Sequence, residues 1–527
     1  VTGLAGVGAL VRLALRRDRV LLPSWIAVLA LVAISSAAAT GDLYPTAASV
    51  VRAVGAVNDT PAMVALYGRV PDVGSLGALA MLKPLATGAL AVAVLAIVLV
   101  VRHTRAEEDA GRLELVQAGA VGRFAPLTAA LVVVVGANAV LGAVTAVGLG
   151  AVGLPVAGSV AVALAWFAVA LVFAAVAGVT AQLVTGARAA TGLAVALLGA
   201  AFGVRAVGDT AAPWLSWASP LAWAQQVRPY AGDRWWVGGL AVLTAAVVST
   251  AAYALVARRD LGGGLLPDRA GPARAGRDLR STTGLAWRLH RGPLLAWAAG
   301  FAAYGLVVGG VAADVGGMLT SDQARQLFAE LGGQGELTDT VLAAMLGILG
   351  VVASVYGVQA TLRAAAEENT GRAALLLSAP VGRLRWAAGH LAAACAGVVV
   401  VLVSAGLAAG AVHAVRTGDA GQVGRVVLGA VVQAPAGWVL AGIVLAVYGA
   451  APRLAAAGWG AVVVFVLLGE LGPLLGLPGW LSDLSPYAHV PHLPGGQFSA
   501  WPVAALAAVA AVAAFGGLLA LRGRDLG

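Results

Sequence analysis

Glu107-Glu108-Asp109-Ala110-Gly111-Arg112, closing at Val121-Gly122-Arg123, is written again as Glu367-Glu368-Asn369-Thr370-Gly371-Arg372, closing at Val381-Gly382-Arg383. Only 11% of this chain is Asp, Glu, Lys or Arg, so two such clusters in the same order are not chance. The chemistry they support is ionic. Carboxylates are favoured near the positive end of a helix, and Arg112 and Arg372 stand one turn on, able to pair with them. Each cluster is either a self-paired, solvated helix end or a surface that meets a partner, and the repetition favours the partner. Other candidate chemistry is thinner. His489 and His492 lie near Asp483 on a proline-rich loop, which reads as structural rather than as a metal site. No Ser-His-Asp arrangement and no catalytic carboxylate pair is found. The one cysteine, Cys395, sits in an apolar run and excludes an intrachain disulfide. His103 and His390 read as membrane-edge side chains that snorkel to water.

The elements that position these residues are apolar. The chain has 527 residues, 60% of them hydrophobic, with mean hydropathy +0.91, and apolar runs of about 20 residues recur throughout, enough to cross ~30 Å of hydrocarbon. Strict alternation is missing, which excludes an outer-membrane barrel, and no convincing cleavage signal follows the first run. Twelve spans are predicted, at 23–40, 84–101, 125–148, 158–180, 189–207, 237–257, 293–312, 340–362, 387–411, 427–450, 454–476 and 502–521. Segments on the side of the termini hold 24 of the 33 basic and 11 of the 24 acidic residues. That asymmetry places both termini in the cytoplasm, and it explains the net charge of +9 without nucleic acid.

Further correspondences indicate a tandem duplication. Arg16, Arg19 and Trp25 match Arg288, Arg291 and Trp297, and Ser219-Pro220-Leu221-Ala222-Trp223 matches Ser485-Pro486-Tyr487-Ala488-His489. The expected organisation is a six-span half at 1–257, a Gly-, Pro- and Arg-rich linker at 258–284, and a second six-span half at 285–527. The fold class is therefore an all-α polytopic membrane protein of two like-oriented halves. An amphipathic helix at 4–19 precedes the first span. Leu4, Val7, Leu10, Val11, Ala14 and Leu15 share one face and Arg12, Arg16 and Arg19 the other, as in a helix lying in the lipid interface. Thr104 and Glu107 fit a capping box, whereas Ala364 stands in place of Thr104 in the second copy, so there the span runs on. Trp214, Trp217, Trp223, Trp235 and Trp236 gather between spans five and six, as Trp480, Tyr487 and Trp501 do between eleven and twelve, amid prolines that suggest broken segments. Arg205 and Glu470, at equivalent span ends, are candidates for an ion pair that closes a gate on this side.

Together the EE-x-x-GR words, the Val-Gly-Arg that follows each, the interfacial helix and the SPLAW and SPYAH loops resemble the fused permease of a type-2 ABC exporter. The closest likeness is to the actinobacterial polyketide-antibiotic (tetronasin-like) and multidrug group, over nearly the whole chain. The resemblance implies a coupling helix at about 105–118, including Glu107, Glu108, Asp109, Gly111, Arg112 and Glu114 and reaching Arg123. A second lies at about 365–378, including Glu367, Glu368, Gly371 and Arg372 and reaching Arg383. It further implies that Ser219, Pro220, Trp223, Ser485, Pro486 and His489 belong to a cap on the pathway, and that the protein resides in a bacterial plasma membrane. Asn369 and Ala374 replace Asp109 and Glu114, so the two docking surfaces differ. A phosphate-binding loop needs Lys before Ser or Thr, and the sole lysine, Lys83, precedes Pro84. ATP and Mg are thus expected in a partner ATPase, in two copies, with no cofactor and no catalytic residue in this chain. The sparse charge of the spans favours a hydrophobic or amphiphilic, drug-like cargo. Two other readings are a proton-coupled twelve-span transporter, which wants a mid-span carboxylate, and a polytopic glycosyl transferase, for which only Asp209, Asp233, Arg228 and Arg234 offer themselves.

Overall fold

The computed structural model describes residues 3–119, 121–266, 273–274, 276, 279, 281–318, 334–469 and 478–524. Among these, every regular element is helical. Twelve helices are long and apolar enough to cross a membrane: Leu21–Leu43, Leu76–Asp109, Ala125–Ala151, Val156–Leu183, Ala187–Thr210 and Trp236–Arg258, then Thr282–Ala313, Thr338–Asn369, Arg383–Thr417, Gly421–Ala450, Pro452–Gly469 and Ala500–Arg522. Each contains the core of a span read from the sequence. Most extend further, because backbone bonding continues beyond the apolar stretch until a glycine, proline or turn stops it.

The chain forms two compact units, Val1–Ala270 and Gly271–Gly527. In the first, the second and fourth spans form the centre, with Val92, Ala96, Ile97 and Val100 of one sharing a core with Val162, Ala165 and Val169 of the other. Alanine and valine dominate, so packing is close and leaves little room for unpaired polar groups. Pro84 tests this. It lacks the N–H that would bond the Ala80 carbonyl, and Ser36 of the first span supplies the missing donor at 3.1 Å. In the second unit, the seventh and ninth spans approach so closely that a Cβ on Gly305 or Gly309 would meet the Ala405 or Ala409 carbonyl at 2.4 or 2.3 Å. Short helices Ala47–Asn58 and Pro61–Tyr67 fill the connection between the first two spans.

Substituting Ser36→Ala should cost about 1 kcal/mol of stability by orphaning the Ala80 carbonyl. In a Pro84→Ala background, where an N–H is restored, the same change should cost much less. Thermal unfolding of the four variants in detergent measures that coupling; equal losses in both backgrounds would show that Ser36 does not serve this carbonyl.

Candidate functional site

The residues of each repeated word gather at one end of its unit. In the first unit, the second span breaks at Thr104 (φ −121°, ψ −86°), whose hydroxyl bonds back to the Val100 carbonyl at 2.6 Å. The capping box expected of Thr104 and Glu107 does not form: Thr104 is not in the extended conformation of an N-cap, and its hydroxyl accepts from no N–H of the new helix. The helix resumes as Arg105–Asp109, stops, and restarts as Arg112–Gln117. The break is Gly111, at φ 68°, a left-handed conformation that a side chain resists. In the second unit the long helix runs on to Asn369, as the missing threonine suggested. Gly371, at φ 71°, then starts Arg372–Leu377. The single helices expected at 105–118 and 365–378 are therefore each divided at a glycine.

Each acid of the first word is engaged within its own unit. Glu107 accepts from Arg112 Nε at 2.7 Å and pairs with Arg17 of the helix Val7–Arg17; hydrogen bonding to Glu107 raises the Arg112 pKa above its ordinary value. Glu108 is enclosed, receiving Arg105 NH1 at 3.0 Å, both terminal nitrogens of Arg259 at 2.8 Å, and the Gly262 N–H. Asp109 accepts from the Ala187 N–H at 2.6 Å, placing negative charge at the positive end of the fifth span. Arg105 is 1% exposed and also donates to the carbonyls of Thr185, Gly262 and Gly263. Arg123 donates to the Val256 and Arg259 carbonyls at 2.9 and 2.6 Å.

The second unit repeats the plan with fewer charges. Glu367 pairs with Arg372 at 3.4 Å. Glu368 accepts from Arg524 at 2.6 Å and from the Tyr448 hydroxyl. Arg383 donates to the Arg524 carbonyl at 2.6 Å, as Arg123 does to that of Arg259. Arg259 and Arg524 were missed by reading the sequence. Both follow the last span of their unit, and their similar distance behind the acidic words was the available signal.

Beside these ion pairs each short helix turns one leucine outward. Leu113 and Ala373 turn inward, while Leu115 is 78% and Leu375 76% exposed at equivalent positions of the two short helices. Glu114 and Ala374 are exposed beside them. The helix expected at 4–19 spans Val7–Arg17, since Gly6 is left-handed and Asp18 leaves the helix to be buried against Arg102, at 3.0 Å, and His103. Arg12, Arg16 and Arg19 stay exposed, and it is Arg17 that reaches the acidic word. His103 is therefore paired rather than snorkelling. So is His390, whose Nδ1 lies 3.0 Å from Nε2 of His290 in a buried pair.

At the tryptophan-rich end, Ser219 donates to the Ala201 carbonyl at 2.7 Å and Ser485 to the Phe465 carbonyl at 2.8 Å, each fastening its loop to the preceding span. Pro220 and Pro486 open the short helices that follow. Trp223 donates to the Trp217 carbonyl at 2.9 Å, and Trp217 stacks on Trp236. Tyr230, its φ at 61°, wedges its ring against Gly77 and Gly158 and bonds Ser159, burial raising its pKa. Arg205 is 2% exposed and donates to the Ala65 and Leu66 carbonyls at 2.8 and 2.7 Å, so it caps the helix Pro61–Tyr67 of its own unit. Its proposed partner Glu470 lies outside the described residues. His489 faces the Asp483 carbonyl at 2.7 Å. Among the described residues no three His, Cys, Asp or Glu side chains are grouped to hold a metal.

A family model described as the multidrug efflux system permease Rv1217c, C-terminal domain, matches residues 8–259 and 279–522. The chain is 44% identical to the multidrug efflux system permease protein Rv1217c of Mycobacterium tuberculosis, across all of this chain and 96% of that protein.

Glu108→Gln should lower stability by roughly 3 kcal/mol, since it leaves Arg259 without its counter-charge and buried Arg105 with Asp109 alone, at 3.5 Å. Glu107→Gln, at a more open site, should cost about 1 kcal/mol or less, and Gly111→Ala about 1 kcal/mol through its left-handed backbone. Thermal unfolding ranks the three; Glu107 outranking Glu108 would contradict the assignment of the buried pair.

Proposed function

The chain belongs to the Rv1217c family of multidrug efflux system permeases, and from that membership we propose that it is the membrane-spanning subunit of an ATP-driven exporter, a type-2 ABC permease of the tetronasin-like group. A separate cytoplasmic ATPase, in two copies, binds ATP and Mg and docks on the helices Arg112–Gln117 and Arg372–Leu377. One observation carries this reading. Two short helices, each set off by a left-handed glycine and braced by an acidic pair, hold an exposed leucine at the same place. An isolated leucine on a solvated helix brings nothing to its own unit, and an apolar side chain framed by polar groups suits a socket on a partner. The acids act by holding these helices in place rather than by touching the ATPase.

The same family model matching two stretches supports a tandem duplication into two six-span halves, as do the paired bonds of Ser219 and Ser485 and of Arg123 and Arg383. The arginine excess supports cytoplasmic termini in a bacterial plasma membrane. Arg205, Ser219, Trp223 and their counterparts then lie on the outer side, as braces of the cap. The cargo is hydrophobic or amphiphilic and drug-like, in keeping with the multidrug relative. A proton-coupled mechanism finds little support, since the described carboxylates of the spans sit near span ends.

Purification from native membranes in mild detergent should recover a P-loop ATPase with the permease. Leu115→Asp combined with Leu375→Asp should reduce that recovery to background, leaving permease yield and unfolding temperature unchanged. Undiminished recovery, or solute movement by the lone permease on an ion gradient, would overturn the proposal.

A further inference from the structure

The second span is the most enclosed of the six in the first unit, yet it is open along one line. Leu79, Lys83, Thr87, Leu90, Val94 and Val98 follow one another at three- and four-residue steps and so share a face. The residues on either side of that line, among them Met81, Leu82, Leu85, Val92, Ala96 and Ile97, are buried. Lys83 is the only lysine in the chain and is exposed. It stands seven residues into the helix that begins at Leu76 and about 28 Å of helix rise from Arg102 at the ion-paired end, which places it at the edge of ~30 Å of hydrocarbon. Among the described residues no hydrogen bond or ion pair occupies its ammonium; the Thr87 hydroxyl bonds only the Lys83 carbonyl, at 2.8 Å.

An unpaired ammonium at the edge of the hydrocarbon is held where water or a counter-charge reaches it. The stripe below it is apolar. A charge at one end of an apolar line that the unit covers only in part, Lys83, Thr87 and Val98 being exposed and Leu90 and Val94 half-buried, is the complement of an amphiphile with an anionic head. We propose that this stripe lines the cargo route and that Lys83 receives the carboxylate or phosphate of an amphiphilic cargo, whose apolar body lies along Leu90, Val94 and Val98. This assignment rests on the permease reading and adds to it a preference for acidic amphiphiles. Lys83 specifies the cargo's charge; it catalyses nothing.

The test is binding, which needs no ATPase. The full chain in phosphatidylcholine nanodiscs is titrated with dansyl-undecanoic acid and with its methyl ester, read by dansyl fluorescence. The wild type should bind the acid about tenfold more tightly than the ester, the scale of one charge-assisted bond. Lys83→Met should equalise the two and Lys83→Arg should restore the difference, with unfolding temperatures confirming that both variants fold. Because Lys83 is the only lysine, its acetylation can be followed by peptide mass spectrometry, and the acid but not the ester should slow it. No preference in the wild type, a preference that survives in Lys83→Met, or a Lys83 that never reacts would each overturn the proposal. So would equal protection by phosphatidylglycerol, which would make the anionic head a bilayer lipid's. Failure of the ATP-driven reading would show instead as a missing ATPase, with these binding results unchanged.

Discussion

A carboxylate enclosed at the edge of a membrane bundle must be neutralised, and the way this chain neutralises Glu108 organises the charged end of its first unit. Arg105 comes from the same short helix and Arg259 from beyond the last span, while the Gly262 N–H closes the remaining space. Segments following the second, fourth and sixth spans are thus tied at one point, Arg105 reaching the Thr185 carbonyl as well. Such a cluster adds little net stability over apolar packing, because desolvation offsets most of its Coulomb energy. What it fixes is geometry: breaking any member strands a charge, so the short helix after Gly111 can leave its position only at high cost.

The second unit reaches the same geometry with a lighter set of contacts. Glu368 is served by Arg524 with help from Tyr448, and Asn369 stands where Asp109 accepts from the Ala187 N–H in the first unit. The seam beside the first span changes too, from Asp18 with Arg102 and His103 to the buried pair His290 and His390. Equivalent leucines therefore rest on unequal supports. If a pair of ATPases engages them, the two contacts differ in stiffness more than in shape.

At the opposite end, hydrogen bonding to freed carbonyls stands beside a sparser set of ion pairs, Arg205 with Asp209 and Arg425 with Asp339. Ser219 and Ser485 bond carbonyls of the preceding spans, Arg205 caps a helix that ends among apolar residues, and Ser36 completes the bonding lost at Pro84. In hydrocarbon an unpaired backbone group is expensive, and polar side chains in these helices are placed where a proline or a helix end creates one. That leaves Lys83 conspicuous as a polar group serving no such need.

Twelve spans, their order and the repeated words were legible in the linear chain, because crossing hydrocarbon demands long apolar runs and because charge in such runs is too costly to scatter. Gly111 and Gly371 were expected inside continuous helices, and only the structure shows that each takes the left-handed angle that divides its helix. The partners of the acids were not legible either. Nothing in the spacing of residues says that Glu108 meets Arg259 rather than Arg112, that Arg205 turns to Ala65 and Leu66, or that His390 meets His290, since each depends on which helix ends the packing brings together. Local composition sets where the chain enters and leaves the membrane, through a transfer energy summed residue by residue. Only the tertiary structure decides which charge is paired and which leucine is left facing out, because pairing depends on distances between segments that sequence separation does not constrain.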